Sequence, residues 1–372
     1  MKVLYDYQAF TLQKYGGISR YFSELMSKNE ESDLSLLFSD NYYLTNEIIK
    51  KFKILPEKHE YNSFLPSINF KGKERIIRLY RKLLSNDNIN FSINKIKYSN
   101  YEIFHPTYYN TYFLKYLKNR PFVLTVHDMI HELFPHFFSK TNNTSSNKFF
   151  LMKKAKLIIA VSEHTKNDII KFLPEVTDKI IVINHGFSWS HNNRFSKKED
   201  YLLFVGSRYN YKNFDLFTKA ISPILINNNL KLFCIGNSFT NKEKATFDEL
   251  GIANKTICKS VSDIELAEIY SKALAFIFPS IYEGFGIPVL EAFASGCPAI
   301  LSNTSSLPEV GGDAAVYFDP YNIEDMRNQI EKVITSSTLQ NTMINNGYQR
   351  LKNFSWEKCA NETMNAYKKL IS

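Results

Sequence analysis

The sequence predicts an α/β chain of two parallel-sheet domains, and three observations carry that expectation. Short apolar runs recur with helical or loop patterns between them, several of these runs end in a glycine turn or a polar pair, and one polar, turn-rich stretch splits the runs into two series. The first series is Val3 to Tyr5, Leu34 to Phe38, Phe122 to Val126, Leu157 to Val161 and Ile180 to Ile183. The second is Tyr201 to Val205, Leu230 to Ile235, Ala273 to Phe278 and Ala299 to Leu301. Between them lies HGFSWSHNNRFSKKED, which is polar and rich in turn formers. The expected division is a first domain over 1–185, a linker over 186–200, a second domain over 201–354 and a terminal helix over 355–372.

Composition narrows the class. A chain of 372 residues has room for two domains of ordinary size, and 44% hydrophobic with 22% charged residues describes a globular protein. Met1 runs directly into KVLYDY, without the apolar core of a signal peptide, and no uninterrupted apolar stretch approaches the ~18 residues of a membrane span. Cys234, Cys258, Cys297 and Cys359 lack metal-ligand spacing and suit small packing residues in a reducing cytoplasm. The net charge of +9 suits nucleotide phosphates, anionic lipid or nucleic acid. The absence of a basic heptad region, zinc-finger spacing or an aromatic RNA-binding signature argues against nucleic acid.

The most informative stretch is PSIYEGFGIPVLEAFASGCP, Pro279 to Pro298. It follows the apolar run ending at Phe278, and Pro288 opens a helical pattern that Gly296 and Pro298 close, so it reads as strand, glycine turn, helix. The unpaired N–H groups at such a helix start form an anion site at the carboxyl edge of a sheet. Gly284 and Gly286 let backbone approach a ligand closely, with Phe285 and Ile287 beside them. Glu291, an acceptor-only carboxylate in the first turn, suits ribose hydroxyls better than phosphate, and Glu283 faces whatever lies beyond the phosphates.

Glu283-Gly-Phe-Gly-Ile-Pro-Val-Leu-Glu291, followed by AFASGCPAILSNTSSLPEVGGDAA, resembles the signature of retaining GT-B glycosyltransferases of family 4. The resemblance extends over nearly the whole chain, strongest from 200 to 320 and weakest between about 40 and 100. It implies a GT-B architecture, two Rossmann-like domains around a deep cleft, with the last helix crossing back onto the first domain. The implied activity is transfer of a hexose from a GDP- or UDP-sugar to a hydroxyl of a glycan or lipid-linked oligosaccharide, with retention at the anomeric carbon. Mannose is favoured by resemblance to bacterial polysaccharide mannosyltransferases.

The remaining motifs are read first as residues and then through that resemblance. Gly16-Gly17 precedes the apolar-periodic ISRYFSELM and can admit a phosphate or sugar against bare backbone; in the family such a loop faces the donor. His127-Asp128 ends an apolar run, where a histidine can donate to a sugar hydroxyl and Asp128 can fix its tautomer. The family's HD pair implies His127 beside the donor sugar. In HDMIHE the glutamate follows the second histidine rather than the first, so no zinc set is assigned. Arg208 and Lys212, after Val205-Gly206, suit a diphosphate, and Lys212 matches the family's lysine, while Tyr211 stands where its arginine usually is. The turn at Cys258 and Lys259 is expected beside the nucleobase, and His105 and Tyr108 on the acceptor side. With no Asp-x-Asp motif, charge on the leaving group falls to Lys212, Arg208 and helix-start N–H groups, and neither metal nor cofactor is expected.

Residues 71–84 place Ile76, Ile77, Tyr80, Leu83 and Leu84 on one helical face, with Arg75, Arg78, Arg81 and Lys82 on much of the remainder. That pattern serves equally for a domain helix or for docking on an anionic cytoplasmic leaflet, so the expected location is the cytoplasm, including its membrane face. Three other functions share parts of the pattern: a glycan phosphorylase, for which the chain is short, a sugar-nucleotide epimerase of the same fold, and an idle nucleotide-sugar-binding protein.

Overall fold

The apolar runs pair in parallel throughout. The computed structural model describes residues 1–56, 87–139, 141–188 and 197–371. In its first half lie β1 (Val3–Asp6), β2 (Ser32–Ser35), β3 (Ile103–His105), β4 (Val123–Val126), β5 (Leu157–Ala160) and β6 (Ile180–Val182). The second half holds β7 (Glu199–Val205), β8 (Lys231–Ile235), β9 (Thr256–Lys259), β10 (Ala273–Phe278), β11 (Ala299–Ser302) and β12 (Ala315–Phe318). The first six run in the order β2-β1-β3 and β4-β5-β6, and a parallel bridge between Phe104 and Phe122 joins the two groups. The second sheet runs β12-β11-β10-β7-β8-β9. Each half therefore reverses its direction of winding beside its first strand, between β1 and β3 and between β7 and β10. In a doubly wound sheet such a reversal opens a crevice at the carboxyl ends of the strands, where ligands bind.

Burial explains which strands the sequence announces. β7, β10 and β11 lie inside the second sheet and are apolar on both faces: Leu203, Phe276, Phe278 and Leu301 pack into one core, and Leu202, Phe204, Ala275, Ile277 and Ile300 into the other. The stretch at 256–259, expected as a turn, is instead edge strand β9, and β12 forms the opposite edge. Both are short and only partly buried, so neither carries the continuous apolar run of a central strand. In the first half, the run expected from Leu34 to Phe38 is strand only over Ser32–Ser35, and Phe38 makes a separate parallel bridge to Leu55.

The helix Trp356–Ile371 returns to the first half and closes its core. Tyr367 brings its hydroxyl to 3.2 Å from that of Tyr5 and to 2.5 Å from His105 Nδ1, while His105 Nε2 lies 2.9 Å from Thr125 Oγ1. His105 is fully buried, so its expected contact with an acceptor is corrected: it is a hydrogen-bonded core residue, held neutral because burial pushes its pKa down to about 3. The chain can cross at Gly186 only because a side chain is absent there, as a Cβ would lie 2.4 Å from the Trp356 backbone. The helical pattern at 71–84 lies outside the described residues. Among the described residues no helix is long and apolar enough to cross a membrane.

The return helix supplies a direct test. Tyr367→Ala removes a buried ring and strands His105 Nδ1, so a loss of about 3–5 kcal/mol is expected in urea unfolding. Tyr367→Phe, which keeps the ring, should lose only about 1–3 kcal/mol. Equal losses would show that the hydroxyl, and not the packing of this helix, holds the core.

Candidate active site

The loops that follow β7, β10 and β11, three neighbouring strands, meet at Glu283. Its carboxylate lies 2.5 Å from Lys212 Nζ, with both side chains largely buried. Lys212 also sits 5.2 Å from the ring of Tyr211 and 5.3 Å from that of Phe278, positions suited to cation–π attraction. Three hydroxyls of the stretch SNTSS fasten the loop: the Glu283 N–H donates to Ser305 Oγ (3.0 Å), Ser306 Oγ donates to the carbonyls of Glu283 and Phe285 (both 2.9 Å), and Thr304 Oγ1 donates to that of Ile281 (2.9 Å). Ser305 adopts φ +55°, a left-handed conformation costly for serine, in the loop that clamps Glu283. The Ile281 N–H donates to the Tyr211 carbonyl (2.8 Å), which ties in the loop carrying Lys212.

After Glu283 the chain passes Gly284 and turns through Gly286, at φ +105°, into the helix Ile287–Ala294 with Pro288 in its first turn. At that helix start, where the sequence leads one to expect an anion site, Pro288 has no N–H and the Val289 N–H donates to the Gly286 carbonyl (3.0 Å). Glu291, one turn in, accepts a hydrogen bond from the Tyr270 hydroxyl (3.2 Å). Burial pushes its carboxyl up to about 7, against the opposing pull of Arg20.

The first domain meets this loop at Gly284. A Cβ built there would stand 1.8 Å from the carbonyl oxygen of His127, so only glycine permits the approach. Ser162 Oγ and Thr165 Oγ1 donate to the Gly284 carbonyl (2.8 and 3.2 Å), and the Tyr282 hydroxyl donates to Asp168 (2.7 Å) while accepting from the Met129 N–H (3.0 Å). Gly17 approaches from the same side: a Cβ on it would touch the Ile287 side chain at 3.5 Å. His127 is buried and its Nε2 has no hydrogen-bond partner among the described residues. Burial, with smaller contributions from His105 and Lys148, holds its pKa down to about 3, so the imidazole is neutral.

The other expected site residues have the following surroundings. Asp128 does not set the tautomer of His127: its carboxylate accepts from the Ile130 N–H (3.1 Å) and faces Lys148 at 3.6 Å. Arg208 is turned toward Glu243 (2.5 Å) and the carbonyls of Asn237 and Ser238 (2.7 and 2.9 Å), in the lining of a cavity of about 420 Å³. The Cys258 thiol donates to the Asn237 carbonyl (2.9 Å), and Lys259 ends β9 on the exposed edge. Tyr108 is partly buried against the ring of Tyr109 at 4.6 Å.

Two residues emerge only from the structure. His185, in the stretch that reads as linker, lies parallel to His127 with ring centroids 5.7 Å apart and meets Phe285 edge to face at 5.0 Å. Lys148, fully buried in the polar-looking TSSNKFFLMKK, pairs with Glu132 (2.9 Å) and donates to the Asp128 carbonyl (2.8 Å). Neither has a local signature in the sequence, although the glycine after His185 is a sign of close approach.

Two parallel-sheet domains with glycine turns facing each other at their switch points define the GT-B architecture. The family described as Glycosyl transferases group 1 matches residues 187–350, and Glycosyltransferase Family 4 matches residues 59–188, so the matches meet where the domains join. The chain belongs to glycosyltransferase family 4. It is 28% identical to O-antigen chain mannosyltransferase B of Escherichia coli over 267 residues, 67% of this chain and 70% of that protein. It is 30% identical to the O-antigen chain mannosyltransferase RfbU of Salmonella typhimurium over 239 residues, 64% of this chain and 66% of that protein. Among solved structures it is similar to a sucrose-phosphate synthase from Thermosynechococcus elongatus, with a TM-score of 0.71 at 17% identity, covering 99% of this chain and 98% of that one.

The raised pKa of Glu291 sets a pH dependence with a definite sign. Between its unfolded value of 4.5 and about 7 the folded protein holds a proton that the unfolded chain releases, so stability from this group is full below 4.5 and is lost as pH rises to 7. Glu291→Gln should match wild type in urea unfolding near pH 4.5 and become the more stable protein by pH 8; parallel curves would remove the shift. Gly284→Ala should prop the domains apart, raising the radius of gyration in small-angle X-ray scattering. An unchanged radius with retained stability would show that the His127 loop yields instead.

Proposed function

We propose that the protein transfers a hexose, mannose first, from a GDP- or UDP-sugar to a hydroxyl of a glycan or lipid-linked oligosaccharide in cell-surface polysaccharide synthesis, with retention at the anomeric carbon. The single observation that carries this reading is the meeting of Gly284 with the His127 carbonyl. It brings a buried, neutral imidazole, whose Nε2 has no hydrogen-bond partner among the described residues, from one domain beside the loop that holds Glu283, the carboxylate paired with Lys212, and the helix start in the other. The likeness to two O-antigen mannosyltransferases supports the sugar and the pathway.

In this reading Lys212 and the N–H groups around Ile287 neutralise the diphosphate, and Glu291 accepts from ribose hydroxyls. His127 Nε2 gains the partner it lacks from a hydroxyl of the donor sugar, and Glu283, already oriented by Lys212, accepts from another. The bond between the anomeric carbon and the phosphate oxygen breaks. The acceptor oxygen bonds to the same face of that carbon, and its proton passes to the departing phosphate, so a nucleoside diphosphate leaves. Because fixed cations and N–H dipoles already face the leaving group, the reaction is proposed to proceed without a metal. Arg208 contributes only by exchanging its bonds to Glu243 for the phosphates, so the diphosphate is assigned first to Lys212.

A thermal-shift panel of nucleotide sugars tests the donor, since a ligand that binds only the folded state raises the apparent melting temperature with its concentration. GDP-mannose is expected to give the largest shift. With the donor so identified, His127→Ala and Glu283→Ala should lower turnover while leaving nucleoside diphosphate affinity nearly intact. Full activity in either variant would contradict its assigned role, and no shift with any nucleotide sugar would sink the reading as a whole.

A further inference from the structure

Beside the cleft, two loops present a pair of uncovered aromatic rings that the donor site does not use. Tyr15 and Tyr42 are 57% and 51% exposed, although a phenol ring is a large apolar surface, and their ring centroids lie 5.0 Å apart at 37°. Leu12, three residues before Tyr15, is 56% exposed, and Lys14 Nζ stands 5.9 Å from the Tyr15 ring. The loops are fixed to each other rather than loosely opposed. The Tyr42 N–H donates to the Lys14 carbonyl (2.9 Å), and Asn41 Nδ2 donates to that of Gln13 (2.8 Å). Behind them Tyr43 packs edge to face on Tyr42 at 5.4 Å and carries the Arg20 guanidinium at 5.9 Å from its ring.

The position of this pair says what it faces. Tyr15 directly precedes Gly16-Gly17, and Gly17 is the residue whose Cβ would touch Ile287 at the start of the donor-side helix. The rings thus stand on the first domain immediately outside the point where the two domains meet. A chain that enters the cleft along this wall passes over them.

We propose that Tyr15 and Tyr42 form a stacking platform for the acceptor glycan, holding sugar units next to the one that receives the transferred hexose. Pyranose rings have an apolar C–H face that packs on an aromatic ring, and their equatorial hydroxyls reach the tyrosine hydroxyls; tyrosine supplies this mixed surface at small entropic cost because only two side-chain torsions are fixed. A pair of tilted rings accommodates successive sugars in a twisted chain better than one flat surface does. The inference deepens the proposed glycosyltransfer and rests on it for the identity of the cleft, but it concerns residues outside the donor contacts.

The test uses the full chain and an array of immobilised neutral oligosaccharides built from mannose, glucose and galactose. Wild type should be captured by a subset of glycans. Tyr15→Ala and Tyr42→Ala should each lower apparent affinity for that subset roughly tenfold, the scale on which one well-packed aromatic contact acts. Tyr42→Trp should retain it, and nucleoside diphosphate affinity, measured by calorimetry, should stay at the wild-type value in all three. Unchanged capture of the alanine variants, or no capture of wild type by any glycan, overturns the platform. Loss of pelleting with anionic vesicles in place of loss of glycan capture overturns it in favour of a lipid-facing patch. Failure of the underlying reading has a different signature, no binding of any nucleoside diphosphate by wild type.

Discussion

The site depends on one backbone approach, the His127 carbonyl lying in the space where residue 284 would carry a side chain. From it follow the bonds from Ser162 and Thr165 to the Gly284 carbonyl and the double use of the Tyr282 hydroxyl between Met129 and Asp168. Both glycine-turn loops belong to rigid sheets, so fixing one point between them fixes the separation of His127 from Glu283. The same segment is held from behind by Thr304, Ser305 and Ser306, and a loop fastened on both sides loses little further entropy when it orients a ligand. Each of these hydrogen bonds contributes only about 0.5–1.5 kcal/mol net. Such a polar contact between domains is strong enough to define a geometry and weak enough to open for substrate exchange.

The electrostatics of the free site point the same way. Lys212 is matched by Glu283, Lys148 by Glu132 and Asp128, and Arg208 by Glu243. The two stacked imidazoles are held neutral by burial. In the proposed reading an incoming diphosphate meets paired cations rather than bare ones, and the attraction it gains is partly offset by the bonds it displaces. Lys212 is the best placed to share itself: an ammonium with three donors can keep Glu283 and donate to a phosphate oxygen as well, whereas the Arg208 fork is occupied by one carboxylate and two carbonyls.

What the sequence discloses is the central part of each sheet and the loops that leave it. Strands buried on both faces must be largely apolar, so β7, β10 and β11 stand out, and the glycines and prolines after them mark the turns that meet at Glu283. Edge strands β9 and β12 escape because one partner and partial exposure demand no such run. The misplaced residues share a different cause, partners distant in the chain. His105 is covered by Tyr367 from the far terminus, Asp128 is drawn off by Lys148 twenty residues on, and His185 joins His127 across the first domain. No local period records such meetings. The stretch holding Ser305 and Ser306 is visible as part of a motif, but its grip on the Glu283 loop appears only in the fold.

A buried imidazole nitrogen without a partner is costly, about 1–3 kcal/mol, and among the described residues His127 Nε2 has none. In the reading proposed above, the cost is felt with the domains closed, and an open cleft that admitted water to the ring would relieve it. A ligand hydroxyl placed against Nε2 removes the penalty in the closed form and gains nothing comparable in the open one. The imbalance makes closure and ligand binding favour each other. In that reading the atom couples domain position to occupancy, and the neutral state of the ring matters to it, since an imidazolium at that depth would oppose closure whether or not a sugar was present.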